Sequence, residues 1–313
     1  MGGGVTRLYS NLTPTLSSMS PLPLQPVEDK LDPGSPLCPP DPAELLQQCE
    51  EALRDRPPRF HRKFTELSDG DGSTSSPIRV MQWNILAQAL GEGLDSFVQC
   101  PMEEILTYRP HILCLQEVDH YYDTFQPILA GLGYSSNFCP KPWSPCLGVE
   151  GNNGPDGCAL FYDQSRFEFL DSMNMRLSAM RIPTNQVGEI HLKRGRCLCV
   201  AVTHLKARSG WEWFRSAQGS DLLRNLQNLE VYQRFAGSPL GLESAYKKLS
   251  QDGLTEPEYT TWKIRPTGEC LLHMPTEEQI GPNRLPSFSY PSDHLSLVCD
   301  LSFKEKSEEE MMN

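Results

Sequence analysis

The sequence predicts an α/β domain whose central strands are covered on both faces, and three observations carry that prediction. Four short runs are continuously apolar and rich in β-branched residues: IRVMQWNIL (78–86), HILCLQEV (111–118), GCALFYD (157–163) and LCVAVTHL (198–205). Such runs fit strands buried from both sides. Polar turn clusters such as NNGPDG (152–157) separate them. Helical spacing follows them, in LLRNLQNLEVYQRFA (222–236).

The closing run LSLVCDLSF (295–303) alternates instead. Leu295, Leu297, Cys299, Leu301 and Phe303 fall on one face, as in a strand exposed on one side. The folded domain is placed at 77–303, followed by a charged tail at 304–313. Residues 1–76 read as mostly disordered, Ser- and Pro-rich. Within them Pro42 to Leu53 is a short helix, with Asp41 able to cap its start and Pro42 suited to its first position. SDGDGSTSSP (68–77) reads as a linker.

At 313 residues, 38% hydrophobic and 22% charged, the chain has the composition of one soluble globular domain with a tail. No apolar run approaches the roughly 18 residues of a membrane span. The start MGGGVTRLYS has no apolar stretch of a secretory signal, so a cytoplasmic protein is expected. The 11 cysteines include no CxxC pair, and Cys114, Cys199 and Cys299 read as reduced thiols buried in apolar runs. A formal net charge of −12 argues against long nucleic acid as the main ligand, though a local basic cluster can still hold a small phosphorylated molecule.

Polar groups sit at or beside the ends of the apolar runs, where α/β proteins place their ligand sites. They are Asn84, Glu117, the stretch His204-Leu205-Lys206-Ala207-Arg208, and Ser292-Asp293-His294. A carboxylate ending a strand offers a hard oxygen, and Mg²⁺ is typically bound through one or two of these. If 204–208 is extended, His204, Lys206 and Arg208 share one face and can grip a phosphate. Taken singly, each has an ordinary reading: Glu117 a solvated charge, His204 or His294 a structural histidine, Lys206 and Arg208 a wet surface, Asn84 a turn cap.

In this order, QWNILA, LCLQEVD, NNGPDGCALF, THLKAR and YPSDHLSL, the motifs resemble the endonuclease/exonuclease/phosphatase family and its deadenylase-like branch. KPWSPC (141–146), RSAQGSDLLRNLQN (215–228), YTTWKIR (259–265) and EEQIGPNRLPS (277–287) extend the likeness over most of 43–303. The resemblance implies a four-layer sandwich of two mixed sheets flanked by helices. It implies Glu117 as the principal Mg²⁺ ligand and Asn84 as a group placing phosphate or water. His294, oriented by Asp293, would meet the scissile phosphate. Lys141, His204, Lys206 and Arg208 would contact substrate phosphates, and Arg265 would fall on the nucleotide side. The expected reaction is Mg²⁺-assisted hydrolysis of the 2′-phosphate of NADP or NADPH by a monomer.

The sequence also departs from that family. A Gly-Asp-Phe-Asn strand, whose aspartate and asparagine handle the attacking water, should follow the helix after HLKAR and is absent. Instead 222–236 runs on at helical spacing, as though two helices were fused. A His-Thr-Leu-Asp-Tyr strand after WKIRPTGEC is also absent, and the helix before HILCLQEV is short. Losing these strands is expected to leave neighbouring backbone groups unpaired. General-base help is worth about 10²–10⁴-fold, so activity should be impaired. Two alternatives follow: a poly(A)-specific 3′-exonuclease acting on mRNA, or a non-catalytic truncated isoform. For the exonuclease, Trp211 and Trp213 could stack bases, although packing of the helix is their ordinary use.

The first residues, Met1 to Thr6, also fit the N-myristoylation pattern with Gly2 as acceptor. One such chain without a polybasic partner gives only weak, reversible membrane association. Family members with a longer amino terminus are also expected in mitochondria.

Overall fold

The computed structural model describes residues 41–55, 61–66, 77–88, 99–149, 154–179, 182–191, 198–206, 210–227, 268–272, 275, 277–280, 285, 290 and 292–301. Their order is α1 (Pro42–Ala52), β1 (Phe64–Glu66), β2 (Ile78–Asn84), α2 (Gln99–Tyr108), β3 (Ile112–Val118), α3 (Gln126–Gly131), β4 (Tyr134–Pro140), β5 (Gly157–Asp163), β6 (Met175–Ala179), β7 (Ile182–His191), β8 (Val200–Thr203), α4 (Glu212–Gln227), β9 (Gly268–Leu272), α5 (Glu277–Ile280) and β10 (Leu297–Leu301). Seven strands form one sheet in the order β1-β9-β10-β2-β3-β5-β4, and β6-β7-β8 form a second. The larger sheet is mixed, because β2 and β3 are parallel while its other described pairs are antiparallel. The second pairs antiparallel throughout.

Side-chain alternation divides the core into layers. From β3, Leu113 and Leu115 point to the side where Leu45, Cys49, Met102, Ile105 and Leu129 of the helices pack. Ile112 and Cys114 point to the opposite side and meet Val202 of β8 between the two sheets. All seven residues of β3 are buried, the outcome its unbroken apolar run predicts. On the far side of the smaller sheet, Leu177 of β6 packs with Leu222 of α4. Helices, sheet, sheet and helix make the four layers, and the helix-facing cluster is the larger part of the core.

Four expectations are revised. The fold begins well before residue 77: α1 buries Leu45 and Cys49 in the main core, and β1 pairs with β9. Asp41 does cap that helix, accepting from the Ala43 amide at 3.0 Å. Strand β10 is interior and not one-faced. Val298 and Asp300 are buried as well as Leu297, since β9 and β2 flank it on both sides and Asp300 pairs with Arg79 at 2.7 Å. The gap near Cys270 leaves no bare edge beside β10, because Leu271 and Cys270 pair with Cys299 and Asp300. Finally, Cys199 is exposed, whereas Cys114 is buried and Cys299 partly so. The fused helix expected over 222–236 is described only to Gln227, and the rest of it lies outside the described residues.

Candidate functional site

Strands β2 and β3 run parallel, so their C-terminal ends deliver Asn84 and Glu117 side by side. A register shift against β5 between Leu115 and Val118 bulges β3 at Gln116 and Glu117. Bulges of this kind re-aim side chains near active sites. Glu117 has φ 57°, a conformation that costs a non-glycine residue on the order of 1–3 kcal/mol. Its carboxylate is 7% exposed and held by two donors: Asn84 Nδ2 to Oε1 at 2.9 Å and the Ala87 amide to Oε2 at 3.3 Å. The Asn84 carbonyl side-chain oxygen accepts the Leu86 amide at 3.0 Å, which fixes its orientation.

His204 follows β8 and brings Nε2 to 3.6 Å from Glu117 Oε1. Burial pulls its pKa below the ordinary value, and the nearby Lys141 charge adds to the effect while Glu117 opposes it. The imidazole is therefore neutral near pH 7. Its buried Nδ1 has no hydrogen-bond partner, and neither has Thr203 Oγ1 beside it.

Lys141 begins the loop after β4 and places Nζ 2.5 Å from Asp156 Oδ2. Asp156 is fully buried, and its other oxygen accepts from the Ser144 hydroxyl. The reading of NNGPDG as a plain turn missed this residue. Its signal was a carboxylate placed directly before an apolar strand. Gly157 is needed next to it, since a Cβ there would lie 2.3 Å from the Cys139 carbonyl oxygen.

The Ser292-Asp293-His294 loop closes over the end of β2. Ser292 donates to the Asn84 carbonyl at 2.6 Å and accepts the His294 amide at 3.1 Å, while the Trp83 indole donates to the His294 carbonyl at 2.8 Å. Sequence reasoning missed Trp83 and treated Ser292 only as part of its motif. His294 Nδ1 lies 2.7 Å from Asp293 Oδ1. That bond holds the His294 pKa above its ordinary value and the Asp293 pKa below its own.

The structure thus gathers Asn84, Glu117, Lys141, His204, Asp293 and His294 at one end of the larger sheet. Lys206 is placed differently. Strand β8 stops at Thr203, the end of the extended run expected over 204–208 lies outside the described residues, and Lys206 is exposed with Nζ 5.6 Å from the Trp211 ring centroid. Trp211 and Trp213 are 40% and 55% exposed and touch Phe214 edge-on, rather than packing beneath the helix. Arg208, Arg265 and Gly2 lie outside the described residues.

Among the described residues, no three His, Cys, Asp or Glu side chains converge as a metal cage. The donor set still fits Mg²⁺, which takes one or two carboxylates and fills its shell with water and phosphate oxygens. Each Glu117 oxygen holds one donor and keeps lone-pair capacity for a cation.

Residues 81–230 match the endonuclease/exonuclease/phosphatase family model. Rat nocturnin is 54% identical over 364 aligned positions, covering 99% of this chain and 85% of the relative, and human nocturnin is 54% identical over 363, covering 98% and 84%. An alignment longer than 313 residues requires the relatives to carry internal residues that this chain lacks. A structure of the human nocturnin catalytic domain with bound sulfate is 52% identical, with a TM-score of 0.66, covering 80% of this chain and all of that one. ANGEL2, described as a 2′,3′-cyclic phosphatase, shares the fold at 18% identity and a TM-score of 0.53, covering 77% of this chain and 98% of that one. The chain belongs to the endonuclease/exonuclease/phosphatase family, and its sequence sits beside the nocturnins within it.

Proposed function

We propose that this chain is a Mg²⁺-dependent phosphomonoesterase whose substrate is the 2′-phosphate of NADP(H). The observation that carries the reading is the buried Glu117 carboxylate, aimed by a strand bulge and flanked by Lys141 and His294. This juxtaposes one oxygen ligand for a hard cation with positive charge for a phosphate. The sulfate bound by the human nocturnin domain supports a site for a tetrahedral dianion. Net charge −12 suits a small nucleotide better than a long polyanion.

In this reading Mg²⁺, held by Glu117, supplies Lewis-acid polarisation of the phosphoryl oxygen and a template for the reactants. The protein's own groups do the rest. Asn84 keeps Glu117 oriented and offers its amide dipole to the same space. Lys141, anchored on Asp156, contributes a fixed positive charge. His294 in its protonated form donates a hydrogen bond where negative charge develops on the scissile phosphate, and the bond to Asp293 favours that form. Neutral His204 adds a polar contact that carries no charge of its own.

A second reading is 3′-exonuclease action on poly(A). It draws on similarity to the Ccr4 3′-5′-exoribonuclease subunit of Debaryomyces hansenii, 21% identical over 193 positions covering 55% of this chain and 23% of that one, and on the exposed Trp211 and Trp213 indoles. Incubating the purified chain with NADPH or poly(A) and Mg²⁺, then assaying phosphate and mononucleotide, separates the readings. Phosphate release from NADPH alone supports the first, and AMP release from poly(A) alone supports the second. Neither product marks a non-catalytic isoform and overturns both.

A further inference from the structure

Lys206 lies in the connection between β8 and α4, and the start of α4 holds its backbone from both sides. Gln218, a fully buried residue, accepts the Lys206 amide through Oε1 at 2.9 Å. Arg215 Nη1 donates to the Lys206 carbonyl at 3.1 Å. The far end of the same connection is tied down as well. Gly210, at φ 83°, donates its amide to Glu212 Oε1 at 2.9 Å, and that carboxylate also pairs with Arg215 Nη2 at 3.1 Å. The Trp211 ring sits beneath the Lys206 ammonium.

Residues 211, 215 and 218 follow the i, i+4, i+7 spacing of one helix face. Trp211, directly before α4, and Arg215 and Gln218 in its first two turns therefore present an aromatic, a cation and a buried amide in a row, and all three touch Lys206. A solvated helix face has no reason to bind both the amide and the carbonyl of one residue. A buried amide acceptor is also costly to place unless its bond is made, because a donor or acceptor orphaned away from water costs about 1–3 kcal/mol.

We propose that this face of α4 is a positioning element for phosphate binding, and that Gln218 acts on the substrate through Lys206. The proposal deepens the phosphomonoesterase reading and rests on it. Gln218 and Arg215 fix the Lys206 peptide, and Trp211 fixes the side chain's direction. The lysine then meets a phosphate from a preset position two residues beyond His204. Lower mobility before binding leaves less entropy to lose on binding, and this raises affinity.

Two variants of the full chain test it. Gln218→Met keeps the volume but removes the acceptor, whereas Gln218→Glu keeps an acceptor at the same reach. Three quantities are read: amide hydrogen exchange at Lys206, calorimetric affinity for NADP⁺ and for inorganic phosphate, and kcat against KM for NADPH. Gln218→Met should speed Lys206 exchange and weaken both ligands about tenfold, the change that loss of one buried hydrogen bond implies, with kcat within about threefold. Gln218→Glu should retain most of the protection. In a Lys206→Ala background Gln218→Met should add no further loss, since its effect passes through that side chain.

Unchanged exchange overturns the proposal whatever the substrate is. Faster exchange with unchanged affinity overturns it too, as does an equal loss in the Lys206→Ala background, which marks a structural role only. Binding of inorganic phosphate without NADP⁺ removes the substrate assignment and leaves Gln218 to be judged on phosphate. A parent chain that binds neither ligand removes both.

Discussion

Glu117 shows how one residue concentrates the chemistry of this site. It sits in a left-handed backbone conformation at a bulge, and its buried oxygens are held by a side-chain amide and a backbone amide. If it is the cation ligand, Glu117→Gln keeps the shape and loses the charge. The Mg²⁺-dependent rise in melting temperature should disappear, and any NADPH turnover should fall at least about a hundredfold, as several kcal/mol of lost charge stabilisation implies. A variant with the parent's Mg²⁺ response would sink the assignment. His294 offers a second test at this scale. Its raised pKa means the protonated form persists to higher pH than for a free histidine, and activity that needs it declines as pH rises through that value. Asp293→Asn removes the largest cause of the rise, so the basic limb of the kcat/KM profile should move to lower pH. A basic limb that stays in place would show that His294 is not the group being titrated.

At the scale of elements, the His294 loop depends on a segment far from it in sequence. Arg62, four residues before the end of β1, is buried with Glu104 of α2 and Ser296. Its Nη1 donates to the Ser296 carbonyl at 2.7 Å, and its Nη2 donates to both the Glu104 carboxylate and the Ser296 hydroxyl. Ser296 in turn donates to Glu104 at 2.6 Å. The network joins the amino-terminal segment, a core helix and the start of β10, two residues from His294. Removing one member of a buried pair strands the other charge, at a cost of about 3–5 kcal/mol. Arg62→Ala should therefore lower unfolding stability in urea by about that amount, while Arg62→Met with Glu104→Leu recovers most of it. A loss below about 1 kcal/mol for the single variant would mean that Glu104 finds water or another partner. The disordered reading of 1–76 missed this because a lone arginine in polar surroundings carries no periodicity. Only the fold reveals its partners, 42 and 234 positions away.

The whole molecule carries the mark of its missing pieces unevenly. Beside β10 the shortened chain still supplies a neighbour, since β9 crosses the junction and completes that side of the sheet. Beside β8 the described strands provide a partner on one side only, β7, and there the buried Thr203 Oγ1 and His204 Nδ1 have no hydrogen bonds. Restoring the family's Gly-Asp-Phe-Asn strand between Glu230 and Val231, together with the other two segments, should therefore raise the melting temperature and sharpen the transition. It should also increase turnover by about 10²–10⁴-fold, the usual worth of a general base. A repaired chain that melts cooperatively yet hydrolyses neither NADPH nor poly(A) would remove the enzymatic reading altogether.

Local pattern was enough to read the fold class, the buried strands and most of the polar residues at the strand ends. Apolar runs drive β2, β3 and β5 into the interior of the sheet, and a carboxylate at the C-terminal end of such a run emerges at the end of the sheet, where the strands stop. Periodicity read the last strand less well, because Asp300 and Ser296 are buried through partners that local pattern does not contain. Folding alone fixes how distant groups set each other's charge and position. Asp156 holds Lys141, Asp293 raises the pKa of His294, burial lowers that of His204, and α4 takes hold of Lys206. Hydrogen bonds and Coulomb interactions act over a few ångströms of space and are indifferent to sequence separation. They become legible only when the chain has been folded.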